Sequence, residues 1–198
     1  MNIDKLAYQA RPWYDADIHF NRHYHNWNHA CRVVSNCYTI KNDTPSQELI
    51  LAAWWHDAVY VPGAGSDANE RCSAAALVNA SKLFAEPELT DTIAQAAFLI
   101  QSTSVETHLT YQSLTGDLAI LLDADLVALA DPYDQFVQTQ KRIIVENGGT
   151  FENDKAKSAA FLQQFLTRRY FIYHTDYARG NWEVQARANI TRYIKESL

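Results

Sequence analysis

Four of the seven histidines, His19, His23, His25 and His29, fall within eleven residues, in the run Ile-His-Phe-Asn-Arg-His-Tyr-His-Asn-Trp-Asn-His. Imidazole both ligates metals and exchanges protons near neutrality, so such crowding points to one of those tasks. His25 and His29 are four residues apart; on a helix they share a face and converge on a metal, or on a metal and its substrate. The competing reading is polar surface or packed core histidines. A second pair, His56-Asp57, sets an imidazole beside a carboxylate. Adjacent helical side chains diverge by about 100°, so a helix alone does not make them co-ligands. A histidine near a helix end can also bond a free carbonyl, and an aspartate can close a turn. A third feature, Asp123-Ala-Asp125, follows the apolar run Ala119-Ile-Leu-Leu122. A carboxylate buried there is costly unless it meets a cation or several donors. On a helix the two are roughly 200° apart, so one faces the core and the other is solvated or caps something.

The elements that carry these residues read as helices. From Ser46 the positions Leu49, Ile50, Ala53 and Trp54 keep helical spacing into Trp55-His56-Asp57, with Thr44-Pro45 predicted as cap and first residue and Val61-Pro62-Gly63-Ala64-Gly65 as the break. Asp131-Pro132 predicts a second start of the same kind, and Asp67 and Thr90 predict two more. Leu118, Leu121, Leu122 and Leu129 mark a helix carrying Asp123 and Asp125, and Phe136 to Val145 mark another, stopped by Gly148-Gly149. Phe161, Leu162, Phe165 and Leu166, then Ala186, Ile190, Tyr193 and Ile194, give two more after an aromatic joint at Tyr170-Phe-Ile-Tyr173. No strand alternation of useful length occurs. Gly63-Ala-Gly65 lacks the preceding strand and following Lys-Ser/Thr of a phosphate loop.

The 198 residues, 47% hydrophobic and 12% aromatic, suffice for one core and are cramped for two, so residues 1–198 are expected to form a single domain. A net charge of −6 argues against general nucleic-acid binding. Three cysteines, Cys31, Cys37 and Cys72, make no CxxC pair and read as reduced, small core residues. With no apolar leader and no span of bilayer length, a cytoplasmic protein away from membranes is expected. Exposed aromatics would support a homodimer.

In order, His29, His56-Asp57 and Asp125 resemble the H…HD…D signature of HD-domain phosphohydrolases. A closer resemblance, to a bacterial subfamily of small HD phosphohydrolases, covers nearly the whole chain. It rests on His23-Tyr-His-Asn-Trp-Asn-His29, Trp54-Trp-His-Asp-Ala-Val-Tyr60, Asn69-Glu-Arg-Cys-Ser-Ala74, Leu122-Asp-Ala-Asp-Leu126 and the block from Glu183 to Ile190. The resemblance implies an all-α, single-domain HD-type helical bundle that brings His29, His56, Asp57 and Asp125 to one divalent metal. Where the subfamily often shows a basic Thr-Lys-His block, this chain has Ser102-Thr-Ser-Val-Glu-Thr-His108. Asn69 and Glu70 stand where two-metal members carry extra histidines, so one metal is expected. For the last ligand, Asp125 is favoured over Asp123: it sits before Leu126 in the family's setting and borders the stripe Leu122, Leu126, Leu129, which Asp123 opposes.

Two imidazoles and two carboxylates suit Mn, Fe, Co, Ni, Zn or Mg and leave positions for water and substrate. Such a site activates water and polarises a phosphoryl oxygen. The expected activity is hydrolysis of a phosphoester in a small phosphorylated metabolite, with a nucleotide favoured. Asp57 belongs to the catalytic group as well as the metal set. His25 and Glu70 are the first candidates for proton transfer or for orienting a ligand. Arg22, His23, Arg71 and His108 are candidates for binding substrate, the arginines through paired hydrogen bonds, with solvated arginine as the ordinary alternative. Arg142, Glu183, Arg187 and Asn189 are left outside the site, because an ion-pair network between C-terminal helices explains them equally well. Two rival readings are an HD-type di-iron oxygenase, marked by a second metal, and a nucleotide-binding module without turnover.

Overall fold

A computed structural model describes residues 3–15, 22–65, 67–84, 87–110, 112–167 and 171–197, none of them in a strand. His19 and Tyr170 lie outside the described residues. The helices are α1 (Ile3–Tyr8), α2 (Arg11–Asp15), α3 (Trp27–Lys41), α4 (Gln47–Trp55), α5 (Ala68–Phe84), α6 (Thr90–Gln101), α7 (Val105–His108), α8 (Gly116–Asp125), α9 (Tyr133–Glu146), α10 (Phe151–Thr167), α11 (Asp176–Asn181) and α12 (Glu183–Lys195). Tighter 3-10 turns occupy Pro87–Leu89 and Leu126–Ala130. Among the described residues no helix is long and apolar enough to cross a membrane.

Caps fix the two helices that begin the site. The Asn26 side chain accepts from the backbone N–H groups of Asn28 and His29, satisfying donors that the first turn of α3 leaves without partners. Ala30, Val33, Val34, Cys37 and Ile40 then form its buried stripe. Helix α4 starts two residues after the expected Thr44-Pro45 cap: it is Ser46 whose Oγ accepts from Leu49 N at 3.1 Å, with Pro45 buried ahead of it. Pro132 likewise precedes α9, its ψ of 138° being extended, and is not the first helical residue. Thr90 and Gly148-Gly149 bound helices as expected, Gly148 taking a φ of +76° that suits glycine.

The apolar residues gather into two clusters. One joins α1, α3, α4, α5, α6 and most of α8; the other joins Leu129 with α9, α10, α11 and α12. Helix α8 carries the chain between them, and six consecutive residues, Ala119 to Ala124, are buried. A helix apolar all round has no wet face. Its last turn gives way at Leu126 to a 3-10 turn, so Leu122, Leu126 and Leu129 do not share one α-helical stripe and that expectation is corrected.

Charged residues of the C-terminal helices tie the second cluster together. Glu183 accepts from Ile172 N, Tyr173 N and Arg187 Nε, while Asn189 donates to Leu129 O and Asp131 O. Arg142 is exposed. Of the cysteines only Cys37 is a core residue; Cys31 is half-buried and Cys72 exposed, because α5 turns Cys72 outward while Ser73 and Ala74 face in.

Candidate metal centre

Four side chains from separate parts of the first cluster and its exit meet at one point. His29 Nε2 lies 3.0 Å from Asp125 Oδ1, 3.3 Å from Asp57 Oδ2 and 3.2 Å from His56 Nε2. His56 Nε2 lies 3.0 Å from Asp57 Oδ2 and 3.7 Å from Asp125 Oδ1. One donor atom from each of the four falls within 4.8 Å of every other. Atoms that share an ion at about 2.0–2.2 Å lie roughly 3–4 Å apart, so this donor set fits a divalent cation. The imidazoles are buried, and the carboxylate side chains are 16% and 19% exposed.

Local backbone explains how neighbours in sequence become co-donors. His56 closes the last turn of α4 and its Nδ1 donates to Ala53 O at 2.9 Å, which fixes the tautomer and leaves Nε2 as the donor toward the centre. The chain then leaves the helix, so the 100° divergence no longer applies to Asp57. Arg22 holds that turn, its guanidinium donating to Asp57 O at 2.9 Å and Ala58 O at 3.1 Å. His25 precedes the N-cap of α3, so it does not share a helical face with His29 as expected; the loop nevertheless brings the rings within 5.7 Å.

The charges of the cluster support one another. Burial pulls both imidazoles down, but Asp125 and Asp57 outweigh it: His29 stands above its ordinary value and His56 well above. Burial pushes the carboxyls up, yet His56 and His25 hold Asp57 well below the usual range, and His108, His29 and His56 do the same for Asp125. Asp123 is fully buried and points elsewhere, accepting from His174 N at 2.8 Å and Thr175 N at 2.7 Å. The expectation that the more core-facing carboxylate is the one needing a metal is therefore reversed in burial, while Asp125 keeps its place in the donor set. Asp123 has backbone donors to satisfy it.

Around the quartet, His108 Nε2 lies 3.1 Å from the second oxygen of Asp125, and its Nδ1 is buried with no hydrogen-bond partner among the described residues. His25 Nδ1 lies 2.7 Å from Glu146 Oε2, and its backbone N–H donates to the same carboxylate. Its ring stacks on Tyr60 at 4.0 Å. Glu70 is half-buried, and burial together with nearby Asp57 and Asp67 raises its pKa. A cavity of about 670 Å³ opens on the centre, and His25, Tyr60, Glu70, His108, Asp57 and Asp125 all line it.

Three of the expected substrate-binding residues are placed differently. Arg22 is engaged with backbone carbonyls, Arg71 is a surface side chain 3.6 Å from Asp67, and His23 is half-buried; none lines the cavity. Sequence reasoning missed Glu146. An acid ending α9 just before Gly148-Gly149 opposes the helix dipole, a signal that this carboxylate has a partner elsewhere. Set against known proteins, the chain matches no protein-family model and no curated protein.

Proposed function

We propose that the protein is a metal-dependent hydrolase that cleaves a phosphoester of a small phosphorylated metabolite with an activated water. The observation that carries this reading is the His29, His56, Asp57, Asp125 quartet, whose two carboxylates line a cavity, in the order that resembles HD phosphohydrolases. Those four residues would hold a divalent ion, Mn, Fe, Co, Ni, Zn or Mg, which would supply an acidified water and polarise a phosphoryl oxygen. His56 is pre-oriented by Ala53 O, and Asp125 by His108. His25, fixed through Nδ1 by Glu146, keeps its other ring nitrogen for a proton at the cavity wall. Glu70, whose carboxyl is raised by burial, is the second group that can hold a proton there. Asp57 and Asp125 both face the cavity, where water and substrate can reach them.

The test begins with metal analysis of protein purified without chelator, followed by hydrolysis of p-nitrophenyl phosphate and a nucleotide panel with Mn, Co, Ni or Mg added. About one metal per chain and hydrolysis lost in Asp57→Ala support the reading. Two equivalents of iron would redirect it to oxygenase chemistry, and no metal uptake with no hydrolysis on any ester would end it.

A further inference from the structure

Resting on the phosphohydrolase reading, we propose that the substrate is a monophosphate ester whose organic part is predominantly apolar, rather than a polyphosphate or a sugar phosphate. The chemistry changes along the cavity. Next to the quartet lie His108 and Glu70; away from it the walls are Leu129, Ile143, Ile144, Phe161, Leu162 and Phe165, from the turn after α8 and from α9 and α10. At about 670 Å³ the space is in the range that encloses a whole small ligand, roughly 300–1,000 Å³, so the apolar walls meet the substrate's body and not merely its rim.

Charge sets the number of phosphates. Four carboxylates line the cavity, Asp57, Glu70, Asp125 and Asp154, against one described cation, Lys157. The Lys157 ammonium already lies 2.7 Å from Asp154, and its side chain is 83% exposed. A divalent ion offsets Asp57 and Asp125, and one phosphoryl group of about −1.5 to −2 can then be held at the ion. Further phosphates would meet Glu70, hydrocarbon and the neutral side chains of Asn69, Thr103, Asn147 and Ser158, with no guanidinium among the described lining residues to receive them. A sugar's hydroxyls would be stripped of water against the aliphatic and aromatic walls, where an unpaired hydroxyl is costly. Thr139, Gln140, Asn147 and Ser158 are the polar exceptions beside these walls, and Gln140 Oε1 already accepts from Ser158 Oγ. Scattered among the aliphatic and aromatic side chains, they suit isolated polar groups on the body rather than a ring of hydroxyls.

The test titrates n-alkyl phosphonates, methyl to octyl, into Mn-loaded protein by calorimetry, with ATP in parallel. Each methylene is expected to tighten binding roughly three- to fourfold until the cavity is filled, following about 0.8 kcal/mol per buried CH₂. Octyl phosphonate should bind more tightly than ATP. Phe161→Ala, at a wall residue 41% exposed and so low in folding risk, should flatten the dependence on chain length; Ile143→Thr, half-buried, is the second variant. A flat series, a slope indifferent to both variants, or ATP bound above octyl phosphonate overturns the assignment. Hydrolysis of octyl phosphate and p-nitrophenyl phosphate is read separately. A steep series with neither ester cleaved defeats the hydrolase reading and leaves the ligand class standing; cleavage with a flat series does the reverse.

Discussion

Asp123→Asn and Asp125→Asn change the same atoms two residues apart and should fail in opposite ways. Each oxygen of Asp123 takes one backbone N–H in a fully buried setting. Asparagine keeps one acceptor and turns an NH₂ toward the other donor, so one charge-assisted bond worth about 1.5–3 kcal/mol is lost. For a chain of 198 residues, with about 2–4 °C per kcal/mol, the metal-free melting temperature should fall by roughly 3–12 °C. Metal binding should be untouched. Asp125 instead offers Oδ1 to the quartet. With Mn at about 100 times the wild-type Kd, binding raises stability by about 2.7 kcal/mol, or roughly 5–11 °C. If losing this donor weakens affinity at least 100-fold, no more than about 0.4 kcal/mol of that remains at the same Mn concentration. Scanning calorimetry of both variants with and without Mn reads the two effects independently. A Mn-induced rise that survives in Asp125→Asn and vanishes in Asp123→Asn would falsify the assignment of the fourth donor.

Other consequences follow from the same geometry. Arg22→Ala removes the donors on Asp57 O and Ala58 O without touching a donor atom of the quartet, so metal affinity measured by competition with a chelating dye should drop by about 10–100-fold; unchanged affinity would show that the turn holds itself. Glu146→Ala strands the His25 backbone N–H beside a buried gap, and urea denaturation should register a loss of about 1–3 kcal/mol, with none expected if water takes the carboxylate's place. Because Asp125 and Asp57 raise His29 and His56 above the ordinary imidazole value, each holds a proton more tightly than a free imidazole, and a metal competes with that proton. Metal uptake should therefore release protons, and affinity should climb with pH until the raised imidazole values are passed; calorimetry in two buffers of different ionisation enthalpy checks the sign, and heats independent of buffer would contradict it.

Local sequence carried the helical architecture far. Apolar spacing in α12, the Thr90 start of α6 and the Gly148 stop of α9 are set by residues within a turn of one another, so a linear reading finds them. Cap positions at Thr44-Pro45 and Asp131-Pro132 slipped by a residue or two, because several neighbouring residues could start each helix: at α4 the Ser46 hydroxyl reaches the third N–H, and α9 starts after an extended Pro132 with no side-chain cap bond. The identities of the four donors were legible too, since few side chains can ligate and their order resembled a known pattern.

Tertiary structure decided what each polar group meets. Periodicity favoured Asp125 on an apolar stripe that the fold does not form, because Ala119 to Ala124 are all buried and α8 gives way at Leu126; the difference between the two carboxylates comes from His174 and Thr175, about fifty residues later, whose N–H groups satisfy one and leave the other to the histidines. His25 gained its partner from Glu146, 121 residues away, not from its helical neighbour. The cavity is lined by α5, α7, α9 and α10 and by the turns after α4 and α8, segments far apart in sequence. Propensity and capping act over a few residues and are written in the chain, whereas burial, charge pairing and empty space depend on which distant segments pack together, and only the folded chain fixes that.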